Sequence, residues 1–227
     1  MTTRNSTLAK FMIAALLATA LLVGITTHPA KAASGACASL TPAGSYAYPN
    51  FGNTLATPTI RGSVIPVCDN GALGYVSGKY NAYGMAFQCV ELVRRYANVV
   101  FGSPTNGWGG DAKRSSTTHP SGWTAHQEGT TYRPVPGDII VWGPVDGSGN
   151  PSPGASGYPG HVAIISAVTT VDLHNWNVTA VNQNWKGSTS LVAYSSGSIY
   201  KDFDGTFYLY ITGTVSGSQL YGVLHHA

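Results

Sequence analysis

The spacing of apolar residues predicts one amphipathic helix in this chain. Val90, Val93 and Ala97 recur at helical intervals, which predicts a helix over residues 87–99. Cys89 falls in the first turn of that helix. Glu91 is placed to reach one of the two arginines that follow it on the helix surface.

Strands are predicted after the Pro136-Gly137-Asp138 turn, where short runs of β-prone residues alternate with turn residues. The predicted strands cover residues 139–142, 162–168, 177–181, 191–194, 207–211 and 221–224. A helix followed by a series of antiparallel strands is an α+β layout.

Three other segments are rich in Gly, Pro, Ser and Thr and are predicted to be loops. Residues 33–77 form a loop-rich N-terminal arm that should pack on the domain formed by residues 78–227. Residues 101–133 are predicted to form a long loop that has room for one short helix. Residues 146–157 are a surface loop that we expect at the entrance to a site.

The first 32 residues have the order of a secretory signal. Arg4 and Lys10 precede an apolar run over residues 11–25, and Ala30-Lys31-Ala32 provides a small-residue cleavage site. The alternative is a membrane anchor, but a run of about 15 apolar residues is shorter than the roughly 20 that span a bilayer. We therefore expect a secreted, cell-wall-associated protein without stable membrane insertion after cleavage.

Removal of this leader makes the chain neutral. The full sequence has 12 basic and 9 acidic residues, and three of the basic ones lie in the leader, which leaves nine of each. The basic character therefore belongs to the targeting segment and does not indicate a nucleic-acid-binding surface.

The three cysteines of the chain cannot all pair. Exported proteins favour disulfides, and Cys37 and Cys68 both lie in the N-terminal arm. A bond between them would close a loop of about 30 residues and stabilise it by about 2 to 4 kcal/mol. Cys89 is then the cysteine that remains free.

Cys89 is a candidate nucleophile because of its place in the helix. The unpaired N–H groups and the dipole of a helix N-terminus favour the thiolate form of a cysteine. The same N–H groups, including that of Cys89, can hold the oxyanion of a tetrahedral intermediate. The alternative is a small core residue, since Val93 and Tyr96 lie on the same helix face.

His161 is the candidate base, because it follows Tyr158-Pro159-Gly160 and begins a strongly apolar strand. The alternative is an exposed loop histidine. Asn182 and Asn184 project from one face at the end of the next strand, by the two-residue period of a strand. Either could hold the second ring nitrogen of His161, and both could instead serve the turn at the strand end.

These separated pieces, in this order, resemble the cysteine, histidine-dependent amidohydrolase/peptidase family, the CHAP domain. The matching stretches are residues 87–92 (Phe-Gln-Cys-Val-Glu-Leu), 136–140 (Pro-Gly-Asp-Ile-Ile), 160–165 (Gly-His-Val-Ala-Ile-Ile), 181–184 (Val-Asn-Gln-Asn) and 220–225 (Leu-Tyr-Gly-Val-Leu-His). The resemblance covers roughly residues 78 to 226.

The resemblance implies a papain-like fold, in which a helix that carries the nucleophile packs on an antiparallel sheet. It implies Cys89, His161 and Asn182 as catalytic residues, with Gln88 and Asn184 in supporting or oxyanion roles. Family members often have an acidic residue at the position of Asn182, so the third catalytic residue here would be uncharged. An amide oxygen can still orient an imidazole, as in Cys-His-Asn proteases.

We expect neither a metal nor a cofactor. Some phage-enzyme members of the family bind calcium through acidic residues shortly before the nucleophile, whereas residues 79–88 contain no Asp or Glu. The spacing of the remaining histidines matches no zinc pattern.

The resemblance and the leader together predict a monomeric, secreted peptidoglycan hydrolase whose partner is the peptide part of the wall. It would act as an N-acetylmuramoyl-L-alanine amidase or as a peptide-bridge endopeptidase. One alternative is an amidase on a glutathionylspermidine-like small amide, since residues 88–95 also resemble the amidase part of glutathionylspermidine synthetases. Another is a catalytically decayed wall-binding module with Trp108, Trp123, Trp142 and Tyr158 as a sugar-stacking surface.

Overall fold

The computed structural model describes residues 36–42, 51–71, 79–184, 193–212 and 218–227. These residues belong to one compact unit, Ala32–Ala227. The predicted leader and residues 191–192 of a predicted strand lie outside the described residues. Within the described part of the chain, no helix has the length and hydrophobicity that a membrane span requires.

The main sheet has seven antiparallel strands and the described residues contain one α-helix, which confirms the predicted α+β class with an antiparallel sheet. The helix α1 is Cys89–Phe101. The short strands before it are β1 (Thr54–Ala56), β2 (Thr59–Ile60), β3 (Ser63–Val64), β4 (Val67–Cys68), β5 (Tyr80–Asn81) and β6 (Gly84–Met85). The strands after it are β7 (Trp123–Gln127), β8 (Ile139–Pro144), β9 (His161–Thr170), β10 (Asn175–Val181), β11 (Tyr194–Lys201), β12 (Phe207–Ile211) and β13 (Ser218–His226). The order in the large sheet is β12-β11-β10-β9-β8-β13-β7.

β8 and the first half of β9 are almost wholly buried, so apolar residues lie on both of their faces. On β8, Ile139 and Val141 face α1, whereas Ile140 and Trp142 face a second cluster on the other side of the sheet. This alternation follows from the two-residue period of a strand. The helix contributes Leu92, Val93, Tyr96 and Ala97 to the first cluster, and it ends at Gly102, whose φ of 66° is the left-handed conformation typical of a helix C-cap.

The sheet curls so that its two outer strands approach each other. The backbone N–H of Phe207 on β12 donates to the carbonyl oxygen of Thr130, just beyond β7, at 2.7 Å. The next inward-facing residue of β12, Leu209, donates its N–H to Oε1 of Glu128 at 2.7 Å. These bonds satisfy an edge that would otherwise expose unpaired backbone groups.

Two loop predictions need correction. Residues 101–133 contain β7, a strand that was not predicted and that pairs with β13. The 3-10 helix Ala112–Ser116 in the same segment agrees with the one short helix that the sequence allowed. β7 was missed because only Trp123 of its five residues is buried, so the sequence shows no alternating pattern. The N-terminal arm contains the two-residue and three-residue strands β1 to β4, paired as β1 with β4 and β2 with β3. These strands are too short to give a periodic signal.

The predicted disulfide between Cys37 and Cys68 is confirmed, with 5.8 Å between their Cα atoms, and Cys89 is a free thiol. The disulfide packs with Phe51, Ala86 and Phe87 in a small apolar cluster. The rings of Phe51 and Phe87 are 4.9 Å apart. The arm is thereby fixed against the residues that lead into α1.

Candidate active site

Cys89 is the first residue of α1, directly after an unusual backbone turn. Phe87 is fully buried and has a φ of 61°, a left-handed conformation that a bulky residue rarely adopts. Such backbone strain is found most often at functional sites, where the surrounding packing maintains it. Here the packing is the Phe51 and disulfide cluster of the arm.

Two opposing effects act on the thiol of Cys89. Burial raises its pKa, and this is the larger effect. Hydrogen bonds from the backbone N–H groups of Val162, Val90 and Cys89 itself lower the pKa. The helix N-terminus therefore does favour the thiolate, as the sequence suggests, but burial outweighs it and the resting thiol is protonated.

The N–H of Val162 places the Cys89 sulfur beside β9, immediately after His161. His161 is the first residue of that strand and is only 3% exposed. Gly160 precedes it with a φ of 83°. A Cβ at position 160 would lie 2.4 Å from the carbonyl oxygen of Trp142 and 2.7 Å from the backbone nitrogen of Lys113, so glycine alone fits there.

His161 is oriented by Asn182. Its Nε2 lies 3.1 Å from Oδ1 of Asn182, which is fully buried. Nδ2 of Asn182 donates to the carbonyl oxygen of Ala180 at 3.4 Å and to Oγ of Ser195 at 2.9 Å. A carbonyl can only accept, so the amide presents its oxygen to the ring. Nε2 therefore carries the ring proton, and Nδ1 is the basic nitrogen.

Burial lowers the pKa of His161 to about 3, partly opposed by the Asn182 hydrogen bond. The imidazole is therefore neutral at neutral pH. A neutral imidazole beside a neutral thiol can act as a general base, because the proton moves only when the thiol attacks.

Gln88 and Asn184, for which supporting roles were predicted, contact each other. Nδ2 of Asn184 donates to Oε1 of Gln88, which turns the Nε2 donor of Gln88 away from Asn184. Asn184 has a φ of 53°, so it forms a turn at the strand end, which was one of its two predicted roles. The asparagine that lies at the histidine ring is Asn182.

Gln183, between these two asparagines, is an important residue that the sequence did not indicate. It is fully buried, and its Nε2 donates to the carbonyl oxygen of Gln88 at 2.9 Å and to Oε2 of Glu91 at 2.6 Å. Glu91 also forms a buried ion pair with Arg95 at 2.8 Å. Of the two arginines that the sequence allowed as its partner, Arg94 and Arg95, it is therefore Arg95 that pairs with Glu91.

Lys113 is a second buried residue without a sequence signal. It is 1% exposed, and its Nζ donates to the carbonyl oxygens of Ala155 and Tyr158. Its backbone N–H donates to Pro159 at 3.0 Å. Lys113 therefore fixes the loop that leads into His161. The pKa of Tyr158 in this loop is raised to about 12, mainly by burial and also by the negative charge that Cys89 carries when its thiol is ionised.

The suggested tryptophan stacking surface is wrong. Trp108, Trp123 and Trp142 are 6%, 5% and 1% exposed and belong to the two core clusters. They cannot stack on a sugar without unfolding. Tyr158 is half-buried in the loop before His161.

Asp138, the acidic residue of the Pro-Gly-Asp turn, has three polar partners within the fold. Oδ1 of Asp138 lies 2.8 Å from Nδ1 of His225, and Oδ2 accepts from the hydroxyl of Tyr132 at 2.9 Å and from the N–H of Val135 at 2.8 Å. Among the described residues, no group of three or more His, Cys, Asp or Glu side chains is arranged to hold a metal ion.

Comparison with known families identifies one domain. The family model described as the CHAP domain matches residues 78–188. The matched segment contains α1, β7 to β10 and the residues at the site, and it ends before β11. Among curated proteins, no sequence matches the chain closely enough to identify a relative.

Proposed function

The chain is a CHAP-domain protein, as the sequence motifs predicted, and from this premise we propose that it hydrolyses amide bonds in peptidoglycan. The family is one of cysteine- and histidine-dependent amidohydrolases and peptidases. The specific bond would be that of an N-acetylmuramoyl-L-alanine amidase or of a peptide-bridge endopeptidase. The observation that supports the proposal is the 3.1 Å contact between His161 and Asn182 beside the thiol at the start of α1.

We further propose that the arrangement is papain-like. α1 carries the nucleophile and packs against β9, the strand that begins with the base. Asn182 follows β10, the strand beside β9. Nucleophile, base and orienting residue thus come from adjacent elements, which maintains their geometry by packing rather than by flexible loops.

In the proposed mechanism, Nδ1 of His161 accepts the proton of the Cys89 thiol while the sulfur attacks the carbonyl carbon of the substrate. The oxyanion is held by the backbone N–H of Cys89 and the side-chain amide of Gln88. His161 then gives the proton to the nitrogen of the amide, the C–N bond breaks, and the amine leaves. A thioester with Cys89 remains.

Water completes the reaction. His161 takes a proton from the water as its oxygen attacks the thioester carbon, and the C–S bond breaks with release of the carboxylic acid. The thiolate receives the proton back from His161. Asn182 stays hydrogen-bonded to Nε2 throughout and fixes the orientation of the ring, although an amide stabilises the imidazolium less than a carboxylate does.

The protein is proposed to act outside the cell as a monomer. The support is the order of charge, apolar run and small residues in residues 1–32. The Cys37–Cys68 disulfide agrees with an oxidising compartment. Detection of a mature N-terminus at Ala33 would test this, and an intact Met1 in the secreted fraction would contradict it.

The test of activity is digestion of purified sacculi, followed by end-group analysis of the new amines. This measurement reports both turnover and the bond that is cut. Cys89→Ala should release no new amines, because no other group replaces the thiol. Val99→Ala is the control, since it also introduces alanine, at an exposed position of the same helix. The proposal fails if the natural chain releases nothing, or if Cys89→Ala remains active.

Chelation provides a separate test. Because residues 79–88 lack Asp and Glu, turnover should persist in EDTA. Loss of turnover that calcium restores would show that the chain uses a metal after all.

A further inference from the structure

Among the described residues, four of the six exposed aromatic side chains lie on two strands of the large sheet. Tyr194 and Tyr200 on β11 are 44% and 42% exposed, and Tyr208 and Tyr210 on β12 are 42% and 63% exposed. Side chains two residues apart lie on the same face of a strand. The four rings therefore project from one face of the sheet.

The pairing of the strands arranges these residues in two rows. The first row crosses four neighbouring strands, from β12 to β9. Its residues, in that order, are Tyr210, Ser198, Asn177 and Thr169. In the second row, Tyr208 lies opposite Tyr200, which lies opposite Asn175. We call these seven residues the tyrosine face. The four strands of the first row span about 14 Å.

The tyrosine face is the part of the helix side of the sheet that α1 leaves uncovered. Thr179 and Val181 lie on the same face of β10 as Asn177, and Val181 packs in the cluster beneath α1. Val181 lies opposite Tyr194 and directly precedes Asn182. About 13 Å of strand separates Ser198 from Tyr194. A ligand on the tyrosine face would thus lie near the end of the sheet that carries the proposed site.

The chemistry of the tyrosine face selects one kind of ligand. Its seven side chains are phenols, hydroxyls and amides, with no charge and no aliphatic group. The nearest acid is Asp172, whose Oδ1 and Oδ2 accept from Nδ2 of Asn175 at 2.9 and 3.0 Å. A polyanion needs Lys or Arg, and these two rows contain neither.

An uncharged sugar polymer does fit. The C–H face of a pyranose packs on an aromatic ring, and its hydroxyl and acetamido groups hydrogen-bond to hydroxyls and amides. Tyr200, Tyr208 and Tyr210 are 42%, 42% and 63% exposed, so part of each ring is accessible to a ligand. We propose that the tyrosine face binds the uncharged glycan strand of the wall and holds it while a peptide branch reaches Cys89.

This inference deepens the proposed function by adding the glycan to the substrate. The three tyrosines of the tyrosine face lie after residue 188, where the family match ends. The first test compares the full chain with the triple variant Tyr200→Ser, Tyr208→Ser and Tyr210→Ser. The probe is a soluble, peptide-free oligosaccharide of β-1,4-linked N-acetylglucosamine, and the readout is its dissociation constant by calorimetry.

The triple serine variant should bind the oligosaccharide about tenfold or more weakly, because three ring contacts are lost. The same three positions changed to Phe should bind almost as well as the natural chain. Phe203→Ser removes an exposed aromatic residue outside the tyrosine face and should leave binding unchanged. All of these variants should keep normal turnover of a small soluble muropeptide, which contains both candidate bonds. Turnover of sacculi should fall only in the variants that lose oligosaccharide binding.

The inference is overturned if the natural chain does not bind the oligosaccharide, if the triple serine variant binds equally well, or if Phe203→Ser is as damaging. Self-association that the triple serine variant abolishes, without oligosaccharide binding, would assign the tyrosine face to a second copy of the chain. Binding without release of amines from sacculi would refute the proposed function and leave the tyrosine face standing. Release of amines from sacculi, with the triple serine variant binding the oligosaccharide as well as the natural chain, would support the proposed function and refute the role of the tyrosine face.

Discussion

The side-chain oxygen of Gln183 accepts a hydrogen bond from the backbone N–H of Cys68 at 2.9 Å. The other end of the same amide donates to Glu91 and to the carbonyl oxygen of Gln88. One buried side chain therefore joins the disulfide-linked arm, the first turn of α1 and the strand end that carries Asn182. Because all of these groups are buried, each needs a partner.

Gln183→Leu should destabilise the protein strongly. It keeps the size of the side chain but leaves the Cys68 N–H and a carboxylate oxygen of Glu91 with fewer partners, and each buried group left unsatisfied costs about 1 to 3 kcal/mol. We expect a loss of about 2 to 4 kcal/mol in urea unfolding, together with lower turnover. Gln127→Leu, at an exposed position of β7, is the control. A change in stability no larger than that of the control would contradict the prediction.

The disulfide should stabilise both the fold and the turn before the nucleophile. Its removal by Cys37→Ala with Cys68→Ala should lower the free energy of unfolding by about 2 to 4 kcal/mol. Turnover should also fall, because Phe87 packs on the disulfide cluster and precedes Gln88 and Cys89. The measurements are urea unfolding and digestion of sacculi.

Alkylation of the unreduced protein, followed by peptide mass spectrometry, tests the same arrangement. Label should appear on Cys89 only. Label on Cys37 or Cys68, or a double variant as stable and as active as the natural chain, would show that the bond is absent or has no role at the site.

The elements that the sequence predicted well are those whose own residues carry the signal. α1 and β8 to β10 have continuous or periodic apolar runs, because they are buried on one or both faces. The strand period placed Asn182 and Asn184 together at the strand end beside the histidine strand, and the family resemblance pointed to Asn182. The disulfide followed from the number of cysteines.

The features that were missed depend on contacts between distant segments. Gln183 and Lys113 are polar residues whose burial is stabilised by partners 95 and 42 to 45 residues away. No local pattern distinguishes them from surface residues. β7 exists because β13 pairs with it, and the low pKa of His161 follows from burial that only the folded chain creates.

The roles of the two asparagines can be separated by mutation. Asn182→Ala removes the acceptor for Nε2 of His161, so the ring can rotate and change its tautomer, and turnover should fall on the order of 100-fold. Asn184→Ala removes only the hydrogen bond to Gln88 and should have a smaller effect. Turnover on sacculi, with circular dichroism to confirm folding, is the measurement.

A conservative change refines this prediction. Asn182→Asp should retain turnover, because a carboxylate stabilises the imidazolium and the hydroxyl of Ser195, now 2.9 Å from Nδ2, can rotate to donate to it. If Asn184→Ala is the more damaging change, the orienting role belongs to Asn184. If neither alanine variant matters, the site is a Cys89–His161 dyad.

The pH dependence of stability should depend on Glu128. Burial raises the pKa of this carboxyl to about 7 from its ordinary 4.5, against a smaller opposing effect of the hydrogen bond from the N–H of Leu209. A raised native pKa means that the folded state binds the proton more tightly than the unfolded state. The resulting stabilisation is complete below about pH 4.5 and is lost as the pH rises through about 7.

Glu128→Gln removes this titration and keeps an oxygen that can accept from Leu209. The variant should match the natural chain at about pH 4 and exceed it at about pH 8 by about 1 to 2 kcal/mol, allowing for partial solvent screening. Urea unfolding across this range is the measurement. Asp204→Asn is the control. Hydrogen bonds from Thr206 lower the pKa of Asp204, so this change should alter the free energy of unfolding only at acidic pH. Equal stability of Glu128→Gln and the natural chain at about pH 8 would mean that Glu128 is solvated and that its bond to β12 carries no pH dependence.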